Sequence, residues 1–234
     1  MPRGRPSPPA GPDASLSRTV IVDYDAGNLR SVQRACAEVG LGAAVSADPD
    51  AVARADRVIF PGVGQAASAM ATLRRTGLDR ALHHAIEAGT PMLGICLGLQ
   101  ISLEHSEEGD TTTLGLIPGR VRRFRMDDPA LKVPHMGWNA VEVLRPHPVL
   151  AGIAPGDEFY FVHGYYTEPA DPEEALAVAV YERRFCCALG RRNYVGVQFH
   201  TEKSGRAGLE LLARFGRWNG TVEGERPPAA GGAC

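Results

Sequence analysis

The chain has 234 residues, 44% of them hydrophobic and 22% charged, with a formal net charge of -2. That length suffices for one compact domain burying ~70% of its unfolded surface. Interspersed acids and bases leave no basic footprint for nucleic acid, and no apolar stretch approaches a membrane span, so neither partner is expected.

Residues 1 to 17 and 221 to 234 are rich in Pro, Gly, Ala and Ser. They lack the large apolar groups that would repay ordering, so both read as disordered tails around a single domain over 18 to 220. The opening tail carries two arginines but no apolar h-region, unlike a secretory signal. Five cysteines, at 36, 96, 186, 187 and 234, form an odd set without a C-x-x-C pair or metal-ligand spacing. This predicts a reduced, cytoplasmic compartment and no bound metal. Cys186 and Cys187 lie in an apolar strand-like run and read as packing residues.

In chain order, Thr19-Val20-Ile21-Val22 is a short apolar strand, followed by a turn around Asp25-Ala26-Gly27-Asn28. Leu29, Val32, Ala35, Cys36 and Val39 recur at helical spacing, with Gly40 placed to end the helix. A second strand at 43 to 46, a polar helix and a third strand at 57 to 60 follow. Helices are then predicted from about Ala66 to Arg75 and from Leu78 to Ala88. Strands alternating with helices imply an open, mostly parallel sheet covered on both faces. After Ser102 the runs at 119 to 124, 138 to 144, 157 to 166, 176 to 181 and 185 to 189 alternate or are β-branched and aromatic. They read as an added antiparallel region, so the fold class is α/β and flavodoxin-like.

The stretch Pro91-Met92-Leu93-Gly94-Ile95-Cys96-Leu97-Gly98-Leu99-Gln100 concentrates the chemistry. An apolar strand meets a glycine-flanked cysteine, and Leu97, Gln100, Ile101 and Leu103 then keep helical spacing. G-x-C-x-G is the thiol counterpart of the serine nucleophile elbow, which lifts the side chain clear of a strained turn. The opening amides of the helix attract an anionic sulfur there. An inert core cysteine is the second reading.

The last predicted strand, Tyr194 to Phe199, points Val195, Val197 and Phe199 to one side. Gly196, Gln198, His200 and Glu202 therefore fall on the other. His200 and Glu202 leave its carboxyl end, where Cys96 also leaves its own strand and where open α/β sheets bind ligands. The expected roles are Cys96 as nucleophile, His200 as proton carrier and Glu202 as the group orienting the imidazole.

Pro61-Gly62-Val63-Gly64 has two readings. With Ala67 it fits G-x-G-x-x-A of a dinucleotide fold, although no acidic residue closes a following strand about twenty positions on. The better reading is an oxyanion hole from the amides of Val63 or Gly64 with that of Leu97. An oxidant sensor on a flavodoxin-like sheet is a further alternative, and it would need neither His200 nor Glu202.

GICLGLQ with FHTEKSG a hundred residues later resembles the triad glutamine amidotransferases. VDYDAGNLRSV, FPGVGQA, GLIPGRVRRF, VPHMGWN and FYFVHGYY resemble more narrowly the glutaminase subunits of imidazole glycerol phosphate synthases. The similarity spans about residues 19 to 219. It implies hydrolysis of L-glutamine to glutamate and ammonia by Cys96, His200 and Glu202, without a cofactor, in L-histidine biosynthesis. It implies glutamine binding by Gly62, Gly64, Gln100 and the His163-Gly164-Tyr165 segment.

The resemblance further implies a heterodimer with a (β/α)₈-barrel cyclase facing Pro134, His135, Met136, Gly137, Trp138, Asn139 and Lys203. By itself, Trp138 reads as core filling. Three positions depart from the family pattern: Thr201 replaces a usual proline, Gly164 a common hydroxyl residue, and Asp25 a common glycine. The nearest rival is a glutaminase serving the synthase of anthranilate or pyridoxal phosphate.

Overall fold

The computed structural model describes residues 18–222. The proposed tails lie outside them, apart from Thr221 and Val222. The first half runs β1 (Thr19–Val22), α1 (Leu29–Glu38), β2 (Ala43–Ser46), α2 (Pro49–Ala53), β3 (Arg57–Gly62), α3 (Ala66–Thr76), α4 (Leu78–Glu87), β4 (Met92–Cys96) and α5 (Leu97–Gln100). The second contributes β5 (His105–Ser106), β6 (Thr111–Thr112), β7 (Gly119–Arg123), β8 (His135–Ala140), β9 (Glu142–Val143), β10 (Glu158–His163) and β11 (Tyr165–Pro169). It continues with β12 (Ala175–Tyr181), β13 (Arg183–Arg191), β14 (Tyr194–Val197) and α6 (Gly205–Arg217).

The strands form a twelve-stranded sheet whose main path is β2-β1-β3-β4-β14-β13-β11-β7-β5-β6. From β2 to β14 the neighbours are parallel. From β14 to β13, β11 and β7 they are antiparallel, and β10 and β8 form a separate antiparallel pair. The parallel strands are buried on both faces, which explains their nearly continuous apolar sequences. Val20, Val22, Val58 and Phe60 pack on one side with Met70, Leu73, Leu78 and Leu82 of α3 and α4. Ile21, Ile59, Ile95 and Val197 pack on the other with Val32 of α1 and Leu211 and Phe215 of α6.

This register positions the site. β4 lies between β3 and β14, with Gly62 opposite Cys96 and Val197 opposite Ile95. The chain beyond β14 therefore emerges beside the cysteine although a hundred residues separate them. The sequence spacing predicts a longer helix after Cys96, but α5 is one turn. The carbonyls of Ile101 and Ser102 accept instead from Leu114 N–H at 2.9 Å and Ile117 N–H at 3.0 Å, turning the chain toward β5.

Candidate active site

Cys96 ends β4 with φ 54° and ψ -109°, a positive-φ conformation costing a non-glycine residue about 1–3 kcal/mol. The surroundings hold it there. A Cβ on Gly98 would sit 1.7 Å from the Phe60 carbonyl oxygen, and one on Gly94 would sit 2.1 Å from the Tyr194 hydroxyl. Glycine is therefore required on both sides for the elbow to lie against β3 and β14. The sulfur opens into a cavity of about 390 Å³ lined by Val63, Gly64, Leu97, Gln100, His163 and His200 among others.

The backbone carries His200 away from β14 through its N–H to the Tyr160 carbonyl, 2.9 Å. Its carbonyl accepts from Ser204 Oγ at 2.6 Å. His200 Nδ1 donates to Glu202 Oε1 at 2.8 Å, with both side chains almost fully buried. Because Nδ1 carries that bond, Nε2 is the nitrogen left for chemistry. It is buried, and Cys96 is the side chain that interacts with the ring besides Glu202. Burial opposes charging this ring, but Cys96 and Glu202 outweigh it, and the pKa is raised. Glu202 itself is held by the amide of Asn28, a residue in the left-handed conformation at the start of α1. Thr201 takes the first position of a 3₁₀ turn, Thr201–Lys203, where proline also fits. The site geometry therefore survives that departure.

Val63 N–H donates to the Ala26 carbonyl at 2.9 Å, so its amide is engaged away from the sulfur. Leu97 N–H opens α5, where an amide lacks an acceptor within its own helix. Gly64, at φ +108°, lines the cavity, whereas Gly62 is buried below it against Tyr24, whose hydroxyl lies 1.9 Å from where a Cβ would be. The start of α3 offers no cradle for a pyrophosphate, because Glu108 Oε2 already accepts Ala66 N–H at 2.7 Å. This disfavours the dinucleotide reading of the glycine segment.

Gln100, His163, Gly164 and Tyr165 all line the cavity. Gln100 commits its Nε2 to the Tyr165 carbonyl and to Gln198 Oε1, both at 2.9 Å, leaving Oε1 as the atom available to a ligand. Of the segment 134 to 139, Pro134 reaches the cavity and His135 is buried. Met136 is 63% and Trp138 53% exposed, so Trp138 does not fill the core. It packs edge-on to Tyr160, 6.0 Å between centroids, and Lys203 Nζ lies 5.7 Å from the Tyr160 ring centre on the same surface. Sequence reasoning missed Glu108, which also lines the cavity, and the Asn28–Glu202 contact. The only signals for them were the acidic run at 104 to 108 and an Asn where a helix begins.

Several comparisons bear on this arrangement. The family described as glutamine amidotransferase class-I matches residues 20–217. The imidazole glycerol phosphate synthase subunit HisH of Desulfovibrio desulfuricans is 52% identical over 200 residues, 83% of this chain and 92% of that protein. Its counterpart from Chromobacterium violaceum is 48% identical over 212 residues, 88% of this chain and 100% of that protein. A putative GMP synthase subunit from Thermoplasma acidophilum superposes with a TM-score of 0.65 at 17% identity, covering 88% of this chain and 94% of that one. PurLQS from Thermotoga maritima superposes with a TM-score of 0.66 at 17% identity, covering 86% and 97%. The last two establish the shared fold. Together with the cysteine elbow and the buried His–Glu pair, these matches show that the chain belongs to the class-I glutamine amidotransferases, in the branch of the imidazole glycerol phosphate synthase HisH subunits.

Proposed function

We propose that this amidotransferase hydrolyses L-glutamine through Cys96, His200 and Glu202, and passes the ammonia to a (β/α)₈-barrel cyclase that makes imidazole glycerol phosphate and AICAR. The observation carrying the catalytic reading is the buried imidazole with Nδ1 on a carboxylate and Nε2 in the same cavity as the elbow sulfur. The thiolate attacks the side-chain amide carbon. As the C–N bond breaks, His200 Nε2–H gives its proton to the departing nitrogen, which leaves as ammonia. The thioester is then attacked by water whose proton returns to Nε2, and C–S cleavage frees glutamate and the thiolate. Glu202 fixes the tautomer and stabilises the imidazolium.

Gln100 Oε1 and the Glu108 carboxylate suit the α-ammonium group of glutamine, and cavity-lining backbone amides suit its carboxylate. Leu97 N–H donates to the oxyanion. Val63 N–H joins it after release from Ala26, a rotation of the Gly62–Val63 peptide that glycine at 62 permits and through which a docked cyclase can activate the site. The exposed Met136–Trp138 face beside the cavity supports docking there. It leaves ammonia shielded from bulk water, where protonation would remove its nucleophilic lone pair. A cytoplasmic location fits a catalyst that needs a reduced thiol.

Glutamate release is expected to be slow alone and strongly stimulated by the cyclase with its nucleotide ligand, and equal rates would contradict the assigned partner. Cys96→Ala should abolish glutamine-dependent synthesis while sparing synthesis fed by external ammonia.

A further inference from the structure

The elbow helix α5 has four residues, so few aligned peptide dipoles face the sulfur. An anionic sulfur in a buried cavity needs other donors. Gln198, 0% exposed, follows β14 on the side shared with His200. Its Nε2 lies 3.7 Å from Cys96 Sγ, within the reach of a hydrogen bond to sulfur.

Which end of this amide faces the sulfur follows from the Tyr165 carbonyl, an acceptor on which two donors converge. His163 Nδ1 lies 2.7 Å from the Tyr165 carbonyl, which can only accept, so this nitrogen carries the proton. Burial lowers the pKa of His163 to about 3 and that of His135 to about 4, so both rings are neutral. His163 Nε2 is then a lone pair, and His135 Nδ1, 3.1 Å away, must donate to it. His135 Nε2 is left to accept from Asn139 Nδ2 at 3.3 Å, which also donates to the Val180 carbonyl at 2.9 Å.

On the other side of Tyr165, the same carbonyl accepts from Gln100 Nε2. The second hydrogen of Gln100 Nε2 goes to Gln198 Oε1. With Oε1 so engaged, Gln198 presents N–H to the sulfur. A reversed amide would set two N–H groups against each other and a carbonyl oxygen against a thiolate.

We infer that Gln198 is a catalytic residue of glutamine hydrolysis, its Nε2–H donating to the Cys96 sulfur and stabilising the thiolate as attacking and as leaving group. This rests on Cys96 being the nucleophile. The Tyr165 carbonyl, which can only accept and so fixes Gln100 Nε2, keeps the amide facing that way. Charge-assisted hydrogen bonds of this kind carry more than neutral ones.

The test is the rate of Cys96 alkylation by iodoacetamide across pH, followed by mass spectrometry on the full chain, alongside glutamine hydrolysis with the cyclase present. Gln198→Met keeps the volume and removes the donor. Its alkylation profile should move to higher pH, and kcat/KM for glutamine should fall about tenfold. Gln198→Glu, which sets a carboxylate beside the sulfur, should do more of both. A folded Gln198→Met with the wild-type profile and kcat/KM overturns the inference alone. A wild-type Cys96 that iodoacetamide does not modify overturns the nucleophile reading, and this inference with it. Should the variants not fold, the side-chain amide resonances of Gln198 in the wild type decide. They should shift when Cys96 is alkylated, and unmoved resonances reject the contact.

Discussion

Two buried histidines line one cavity and differ in charge, His200 protonated and His163 neutral. His200 sits against the Glu202 carboxylate, and its pKa is raised although burial alone would lower it. His163 sits against His135, and burial lowers both, to about 3 and about 4. The backbone holds the pairs differently, His163 and His135 across β10 and β8, His200 and Glu202 at the 3₁₀ turn beyond β14. The charge state therefore follows from the neighbours rather than from depth: the Cys96 sulfur and the Glu202 carboxylate hold a proton on the ring, and a second imidazole does not. One pair has the charge that the proposed proton carrier needs. The other becomes a neutral, directional chain of hydrogen bonds.

Removing the carboxylate is the sharpest way to erase that difference. Glu202→Gln keeps shape but takes away the charge that holds the imidazolium, so glutaminase kcat should fall ~10²–10⁴-fold with the fold intact, measured in the cyclase complex.

Acid attacks the other pair. In the unfolded chain these histidines titrate near 6.5, above their folded values, so the unfolded state binds more protons and stability falls as pH drops below about 6.5. By pH 5 the cost is about 2 kcal/mol for each of His135 and His163, and about as much for His147, which burial lowers to about 4. His200 behaves oppositely. With a raised value, its contribution is complete below pH 6.5 and fades as pH climbs through that value, so it adds nothing to the acid loss. Urea midpoints at pH 7 and pH 5 check this, and equal midpoints would contradict the neutral assignment.

A smaller effect is expected at Asn28. Asn28→Gly retains the left-handed turn and removes one donor to Glu202, which should lower kcat about tenfold with little change in KM.

The parallel half was legible because each strand and helix declares itself by local pattern. Val20 to Val22 and the 3.6-residue spacing of Val32, Ala35 and Cys36 fall where expected. The parity that set His200 and Glu202 opposite Phe199 also placed the catalytic candidates. The same parity put Gln198 on the site side, but nothing local could say what it touches. Its partners Gln100 and Cys96 lie 98 and 102 positions away, and Asn28 reaches Glu202 across 174. The exposure of Trp138 was hidden for a related reason. An aromatic residue on a two-stranded pair reads as core unless one knows that its face of β8 is uncovered. The Val63 amide bond to Ala26 depends on a peptide orientation that no residue pattern records.

The most direct test is labelling with a glutamine-like electrophile followed by mapping of the modified residue. Cys36, Cys186 and Cys187 are buried, and burial raises their pKa, to about 12 for Cys36 and Cys186. This keeps them protonated and unreactive. An adduct on Cys96, mapped separately from any on Cys234, suppressed by glutamine and lost in Glu202→Gln, is the predicted result. Labelling of another cysteine instead, or of Cys96 at the same rate in Glu202→Gln, would contradict the account.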